Sequence, residues 1–317
     1  MTQALRAAAL PLLVFGLLAA APFLGFGAGW AMTLLARAMI LGIAALSLWL
    51  VVGGAGLVSL GQAAMLGIGA YAVVVLDDAR VTEALVVAPV AILAAALFAL
   101  ATGAVAMRTG GVPFIMITLA FGQMAFFTAS SLAVYGGDDG YTLYGRSTVA
   151  GARWMQDRLA FHYLCLGLLL GTFLLCRMLL ASRFGRVLRA ARQNELRVQA
   201  VGVSPYPYRL TAYAIAGGIA GLAGFLLANA TEFVAPSFLA WQRSGDLLFM
   251  VILGGLGSPF GAVLGALAIL LLEEWLGHLT PHWRLIFGPL LVLSVLFLRG
   301  GLVGLGRIAG GQACPKA

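Results

Sequence analysis

Apolar runs close to the thickness of a bilayer recur along almost the whole chain. Ala31–Val52 and Ala84–Met107, for example, contain one charged residue between them. A transmembrane helix needs about 20 predominantly apolar residues, and a chain with 62% hydrophobic and 9% charged residues has far more apolar surface than a soluble core uses. The sequence therefore predicts an all-α polytopic membrane protein, with one transmembrane domain over residues 1–317.

Hydropathy and charge divide this domain into eight expected spans. The first could instead be a signal peptide ending near Ala19–Ala21, but the charge balance described below is met when it is kept as a span with its N-terminus in the cytoplasm. The predicted spans cover residues 1–27, 31–52, 53–78, 84–107, 112–134, 159–180, 208–229 and 284–298.

Residues 244–276 form an apolar stretch that is too long for one span. The sequence GGLGSPFG, at 254–261, interrupts it near its middle. Broken helices survive at membrane depth only where protein or water surrounds the bared backbone. We expect a re-entrant helical hairpin that turns at Gly254–Pro259. If both arms cross the membrane, the total becomes ten spans.

One long polar island, residues 182–207, separates the sixth and seventh spans. It carries five arginines against one acid, Glu195. At roughly 100° per residue four of the arginines, Arg183, Arg186, Arg189 and Arg197, fall on one face of a helix and apolar residues on the other. Such a helix either rests on lipid headgroups or docks into a protein groove. Glu195 falls within the apolar stripe, which favours docking.

The distribution of charge predicts the orientation. In the expected topology most arginines flank the inner ends of the spans, and Glu195 is the only acid on that side. This is the asymmetry of the positive-inside rule. It places both termini and the tail 299–317 in the cytoplasm and residues 135–158 in the periplasm. Membrane topology also accounts for the pI of about 9.9, so we expect contact with membrane lipid and no nucleic-acid partner.

A few polar side chains lie within the spans and need partners there, because hydrocarbon offers none. Hydrogen bonding between helices and a substrate passage are both open interpretations. The residues expected to form a wall of the translocation path are Ser59, Gln62, Tyr71, Thr118 and Gln123. Two of them belong to Gly-Gln steps, Gly61-Gln62 and Gly122-Gln123, on spans that run in the same direction.

Glycines within the spans and the hairpin are expected to allow close helix packing, since small residues let backbones approach. The candidate packing positions are Gly61, Gly67, Gly217, Gly221, Gly254, Gly255 and Gly257.

The sequence contains no catalytic constellation. The acids and histidines collect at loop ends and not in one pocket, and the three cysteines show no metal-ligand spacing with the three histidines. We therefore expect no catalytic residue, no metal site and no cofactor in this chain. A phosphate-binding loop requires a lysine after its glycines, and the only lysine is Lys316, so the chain does not hydrolyse ATP by itself.

Three blocks of sequence carry a specific resemblance. They are GLVSLGQAAMLGIGAYA, the stretch from SRFGRVLRAARQNELRVQAVGVSPYP to AGGIAGLAG, and FMVILGGLGSPFGAVLGA. In this order and spacing they resemble the LivM-type permease family of branched-chain amino-acid ABC transporters, over about residues 31–276.

The resemblance implies an importer subunit that works with several partners. These are a second permease of the LivH type, two cytoplasmic ATPase subunits that bind ATP and Mg, and a periplasmic binding protein that delivers the solute. It also implies that a coupling segment seats in an ATPase groove, although the Glu-Ala-Ala pattern of importers reads Glu-Leu-Arg here. The implied ATPase-coupling residues are Arg186, Arg189, Arg192, Asn194, Glu195, Ala200 and Gly202.

Two alternatives remain open. Related permeases carry urea, amides or other small organic solutes with much the same blocks, so branched-chain amino acids are the expected but not the only substrate class. A stand-alone channel or secondary carrier is a different class that glycine-rich broken helices and buried polar groups would also suit.

Overall fold

A computed structural model of the chain describes residues 2–23, 29–149, 151–152 and 154–279, together with 282, 285, 288, 289 and 301–308. Most of the eighth predicted span, 284–298, and the tail beyond residue 308 lie outside these residues. The helices are α1 (Thr2–Ala20), α2 (Gly29–Trp49), α3 (Gln62–Asp78), α4 (Ala84–Ala106), α5 (Val112–Ser131), α6 (Arg158–Ala181), α7 (Arg183–Gln193), α8 (Glu195–Ala200), α9 (Pro205–Thr231), α10 (Trp241–Gly254), α11 (Pro259–Leu279) and α12 (Gly301–Ile308).

Within the described residues, six helices are long and apolar enough to cross a membrane: α2 with its extension to Ala55, then α4, α5, α6, α9 and α11. The protein is thus an all-α polytopic membrane protein in its main architecture. The small exceptions are two strands of two residues each, β1 (Tyr141–Thr142) and β2 (Phe233–Val234), which pair antiparallel.

α2 is the central helix of the bundle. In its most apolar stretch 89% of the residues are buried, against 22% in α4 and 28% in α6. It packs against α6, α9 and α11, while α9 also packs along α3 and α4. α4, α5 and α6 therefore form the outer layer, with broad apolar faces directed away from the bundle.

Small residues decide how closely α9 approaches its neighbours. A Cβ on Gly217 would overlap Ala99 of α4, and a Cβ on Gly221 would lie 2.6 Å from the carbonyl oxygen of Ala91. On the other side, Gly69 of α3 faces the backbone of Gly221. A Cβ on Gly67 would overlap Leu239. These contacts are the close helix packing that small residues permit in membranes.

The predicted boundary between the second and third spans differs from the structure. Helical conformation continues past Val52 through a π-helical turn, Leu50–Ala55, and stops at Gly56, which has φ +74°. The backbone is then non-helical to Gly61, and α3 begins at Gln62. Gly53 therefore belongs to the end of one helix and not to the start of the next.

The hairpin breaks where the glycine-rich sequence predicts. α10 ends at Gly254 and α11 begins at Pro259. A Cβ on Gly254 would overlap the carbonyl group of Gly261, so the two arms touch at their backbones. Gly255 has φ +108°, while the space around Gly257 is open, so packing gives no reason for glycine there. With 14 residues, α10 extends about 21 Å, whereas the hydrocarbon core is about 30 Å thick.

Residues 135–149, 151–152 and 154–157 form a folded cap over one end of the bundle. Arg146 makes an ion pair with Glu232 at 3.0 Å and lies over the ring of Phe161, and the side chain of Asn229 accepts a hydrogen bond from the amide of Ser147. We refer to this end as the cap end, and to the other as the α7 end.

Candidate functional site

A stretch of non-helical backbone, residues 56–61, lies among the helices at the α7 end. We call it the α2–α3 break. A helix start leaves several N–H groups without intrahelical partners, and a buried break must satisfy them by other means.

Side chains from other helices supply those partners. Thr118 of α5 accepts a hydrogen bond from the amide of Leu60 at 3.2 Å, and Ser244 of α10 accepts one from the amide of Ala63 at 2.9 Å. The hydroxyl of Ser59 accepts the amide of Gly61. The break is therefore held in a defined conformation by α5 and α10.

Two further contacts connect the break to α2 and α9. The hydroxyls of Ser59 and Tyr213 are 3.3 Å apart, and the side-chain amide of Gln62 donates to the hydroxyl of Ser47 at 2.8 Å. The Oε1 atom of Gln62 is buried and has no hydrogen-bond partner among the described residues. The result is a buried polar network within an apolar bundle, toward its α7 end.

The structure brings three of the five predicted path residues together at the break: Ser59, Gln62 and Thr118, all buried. The two Gly-Gln steps also meet, since a Cβ on Gly122 would lie 3.8 Å from the Cα of Gly61. Gln123 is half-buried beside them. Tyr71 lies elsewhere, toward the cap end of α3, and its buried hydroxyl has no hydrogen-bond partner among the described residues. A path-lining role for these side chains stays a prediction.

Three residues of the network were not predicted: Ser47, Tyr213 and Ser244. Each is buried, with a relative exposure of 0 to 1%. A hydroxyl within an apolar span is the only signal that the sequence offers for them. That signal also marks residues that bond only to their own helix, such as Thr172, whose hydroxyl donates to the carbonyl of Leu168.

At the α7 end, the polar island folds as two helices, whereas its periodicity predicts one. The side chain of Ser182 accepts from the amide of Gly185 and caps α7. Asn194 then adopts an extended conformation, and its side chain accepts from the amide of Arg197 at 3.1 Å, which starts α8. Asparagine is a preferred N-cap residue. The segment after α8 turns at Gly202, with φ +84°.

This second helix start changes the position of Glu195. Glu195 is the first residue of α8, and its side chain is half-exposed. It does not project from the apolar stripe of α7, whose residues Leu188 and Ala191 are buried. Its carboxylate pairs with Arg209 of α9 at 2.8 Å. Arg209 also donates to the carbonyl of Ala191 at 3.3 Å, so one arginine connects α7, α8 and α9.

The three predicted coupling arginines have different surroundings. Arg186 is exposed, and Arg189 donates to the carbonyl of Leu180 at 3.0 Å. Arg192 is also exposed as a whole residue, but its guanidinium donates to the carbonyl of Gly53, in the π-helical turn. Ala200, the last residue of α8, is exposed.

α7, α8 and the following loop line an open surface cavity of about 640 Å³. Its lining combines branched apolar side chains with polar and basic ones, and no membrane-spanning helix contributes to it. The lining residues are Arg186, Val187, Ala190, Gln193, Asn194, Arg197, Val198, Val201 and Val203.

Together, these features define a class of protein. A bundle of apolar spanning helices, with a buried polar break and a basic amphipathic pair of helices at one end, is a multi-pass helical membrane protein. Among the described residues no group of three or more His, Cys, Asp or Glu side chains could hold a metal ion.

Comparisons with known proteins define the family. The profile of the family described as branched-chain amino acid transport system / permease component matches residues 30–296. The chain belongs to this family.

Curated relatives include two proteins named high-affinity branched-chain amino acid transport system permease protein LivM. The protein from Escherichia coli is 30% identical over 293 residues, covering 85% of this chain and 69% of the relative. The protein from Salmonella typhimurium is 31% identical over 294 residues, with the same coverage. A probable LivH from Methanocaldococcus jannaschii is 30% identical over 138 residues, covering 41% of each chain. No solved structure matches the chain.

Proposed function

We propose that this chain is the membrane permease subunit of an ATP-binding-cassette importer and forms part of the path for branched-chain amino acids. The family assignment supports the transport role and the substrate class. The observation that carries the ATP-driven mechanism is the α7–α8 pair, a basic segment outside the spans that connects to the buried break.

The assembly proposed for the chain has four kinds of partner. A LivH-type permease covers the apolar faces of the outer helices. Two ATPase subunits bind ATP and Mg at the α7 end, and a binding protein delivers the solute at the cap end. The chain itself carries no cofactor. This arrangement belongs in a bacterial cytoplasmic (inner) membrane, with both termini in the cytoplasm, because the arginine-rich α7 end then faces inward.

The cavity between α7 and α8 suits a protein partner better than lipid. Its lining combines Val187, Val198 and Val201 with Arg186 and Arg197. A helix that rests on headgroups presents one continuous apolar face. Here the end of α7 at Asn194 divides that face and leaves a concave surface, which a projecting side chain of an ATPase can occupy.

Glu195 provides a direct test in the reconstituted complex of both permeases, the ATPases and the binding protein. In Glu195→Lys, a lysine faces Arg209, so α8 loses its tether to α9. We expect the complex to assemble and to hydrolyse ATP, while leucine uptake per ATP falls. The charge-swapped variant Glu195→Arg with Arg209→Glu restores an ion pair and should recover the ratio of uptake to hydrolysis.

Two results would contradict the proposal. One is wild-type leucine uptake by Glu195→Lys, and the other is failure of the wild-type chain to co-purify with any ATPase subunit. Leucine transport by the purified chain alone, in liposomes without ATP, would support a channel or secondary carrier instead. Parallel uptake assays with urea and short amides distinguish the substrate classes within the family.

A further inference from the structure

The α2–α3 break and the α7–α8 segment touch each other at one side chain, Arg192. α2 ends in the π-helical turn Leu50–Ala55, and the carbonyl groups of a last helical turn lack intrahelical donors. The guanidinium of Arg192 supplies a donor to one of them, the carbonyl of Gly53. A cation at the C-terminal end of a helix is also favoured by the helix dipole.

The stem of the same side chain packs on the residue where α2 stops. A Cβ on Gly56 would lie 2.6 Å from Cγ of Arg192, so glycine at this position leaves the space that the arginine fills. The φ angle of Gly56 is +74°, which favours glycine for a second reason. Arg192 thus contacts the π-helical turn through its head and the first residue of the break through its stem.

The other contacts of α7 with this region are apolar and carry little directional constraint. Leu188, 1% exposed, lies against Gly54, and Ala191 is buried beside it. Apolar surfaces slide over one another, whereas a charge-assisted hydrogen bond has a preferred length and direction. Arg192 is therefore the contact through which a shift of α7 pulls on the end of α2.

The break is suited to respond because helical hydrogen bonds do not lock its backbone. Beyond Gly56, its conformation depends on the contacts of Ser59 with Tyr213 and of Leu60 with Thr118. The π-helical turn is joined at the same level to the hairpin break, since the indole of Trp49 donates to the carbonyl of Leu256 at 3.1 Å. A displacement of Gly53 is therefore passed on to both the α2–α3 break and the hairpin break.

We propose that Arg192 is a positioning residue that transmits movement of the α7–α8 segment to the α2–α3 break. The inference rests on the proposed function, in which α7 and α8 move with an ATPase partner. Arg192 differs from the other arginines of α7 in its contacts with Gly53 and Gly56, and not in its exposure.

The test compares Arg192→Ala with Arg183→Ala in the reconstituted complex. Arg183 is on the same helix and exposed, with no hydrogen bond or ion pair to the described residues, so its replacement removes equal charge from α7 without touching the break. We expect both variants to assemble and hydrolyse ATP. Leucine imported per ATP should fall about tenfold in Arg192→Ala, a typical allosteric coupling, and remain at the wild-type ratio in Arg183→Ala.

A second measurement follows the break itself. In a chain whose native cysteines are replaced by alanine, a cysteine at Val58 reports the accessibility of the break to a thiol reagent. Its reactivity should change when ATP is added to the complex, and that change should disappear with Arg192→Ala. Gly56→Ala, which intrudes on the stem of Arg192, should give the same loss, and Arg192→Lys should recover part of the uptake ratio.

The outcomes separate the two proposals. Absence of ATP-dependent uptake in the wild-type complex would overturn the proposed function. A wild-type uptake ratio in Arg192→Ala, or an unaltered response at position 58, would overturn the role of Arg192 alone. So would failure of Arg192→Ala to assemble where Arg183→Ala assembles, since the side chain would then serve assembly.

Discussion

Gly221 is enclosed by two helices, and replacing it by alanine tests how tightly the bundle is packed. An added Cβ would lie 2.6 Å from the carbonyl oxygen of Ala91 and 2.6 Å from Cβ of Ala95, both on α4. Retreat from α4 is blocked, because the backbone of Gly221 already faces Gly69 on α3. The extra methyl group therefore forces the helices apart.

Two opposing effects determine how much Gly221→Ala changes the free energy of unfolding. Inserting a methylene-sized group into a well-packed core costs typically about 1–3 kcal/mol. Alanine is favoured over glycine in a helix interior by about 1 kcal/mol. Gly167→Ala on α6 shares only the second effect, since no atom lies within 4 Å of its added Cβ. The difference in unfolding free energy between the two variants isolates the packing cost. We therefore expect Gly221→Ala to be less stable than Gly167→Ala by about 1–3 kcal/mol.

Two buried cysteines provide the assay. Cys165 and Cys176 are free and 0% exposed, so a thiol-reactive dye labels them only when the bundle opens. With Cys314 replaced by serine, the temperature at which labelling occurs in detergent reports unfolding. With an unfolding entropy of about 2.1 cal/mol/K per residue, a chain of 317 residues is expected to shift by about 1.5 °C per kcal/mol. Gly167→Ala should unfold at or above the wild-type temperature, and Gly221→Ala about 1.5–4.5 °C below Gly167→Ala.

Equal unfolding temperatures for the two variants would refute this reasoning. They would mean that α3, α4 and α9 can separate at no cost and that the glycines of α9 do not determine helix spacing.

Two further variants test the smaller elements of the site. Asn194→Ala removes the cap of α8, at a cost of about 0.5–2 kcal/mol, so the amide hydrogens of residues 195–200 should exchange faster. Asn194→Asp should keep their protection. Unchanged exchange in the alanine variant would contradict the role of Asn194 as the cap. Tyr213→Phe removes the hydroxyl that contacts Ser59, and hydrogen bonds within membrane proteins average about 0.6 kcal/mol in double-mutant cycles. A cycle with Ser59→Ala should show coupling of that size in thermal unfolding, and zero coupling would show that the two hydroxyls do not interact.

Hydropathy predicts the outer layer of the bundle well. α4, α5 and α6 fall close to the predicted spans 84–107, 112–134 and 159–180 because each is a continuous apolar helix between polar loops. The hairpin break was also predictable, since glycines and a proline mark it in the sequence. In both cases the local residue type decides the backbone conformation.

The α2–α3 break illustrates what hydropathy misses. Residues 57 and 58 are Leu and Val, so the apolar run continues through the point at which the helix stops. The break is stabilised by Thr118, Tyr213 and Ser244, which are distant in sequence. Ser59 and Tyr213 are 154 residues apart, and no local pattern specifies that they meet. By contrast, the start of α8 at Asn194 had a local signal, a good N-cap residue followed by an acid, which the continuing amphipathic pattern concealed.

The hairpin break packs beside the end of α2, next to the α2–α3 break, and both breaks lie at the α7 end. Backbone carbonyl groups at membrane depth that lack helical donors need other protein partners. Arg192 of α7 donates to the carbonyl of Gly53 in the π-helical turn, and Trp49 of α2 donates to the carbonyl of Leu256 in the hairpin break. The start of α12 adds a further contact, because Gly301 packs directly on Gly255. These contacts connect α7, the end of α2 and the hairpin break, which is the arrangement that the proposed role of Arg192 requires.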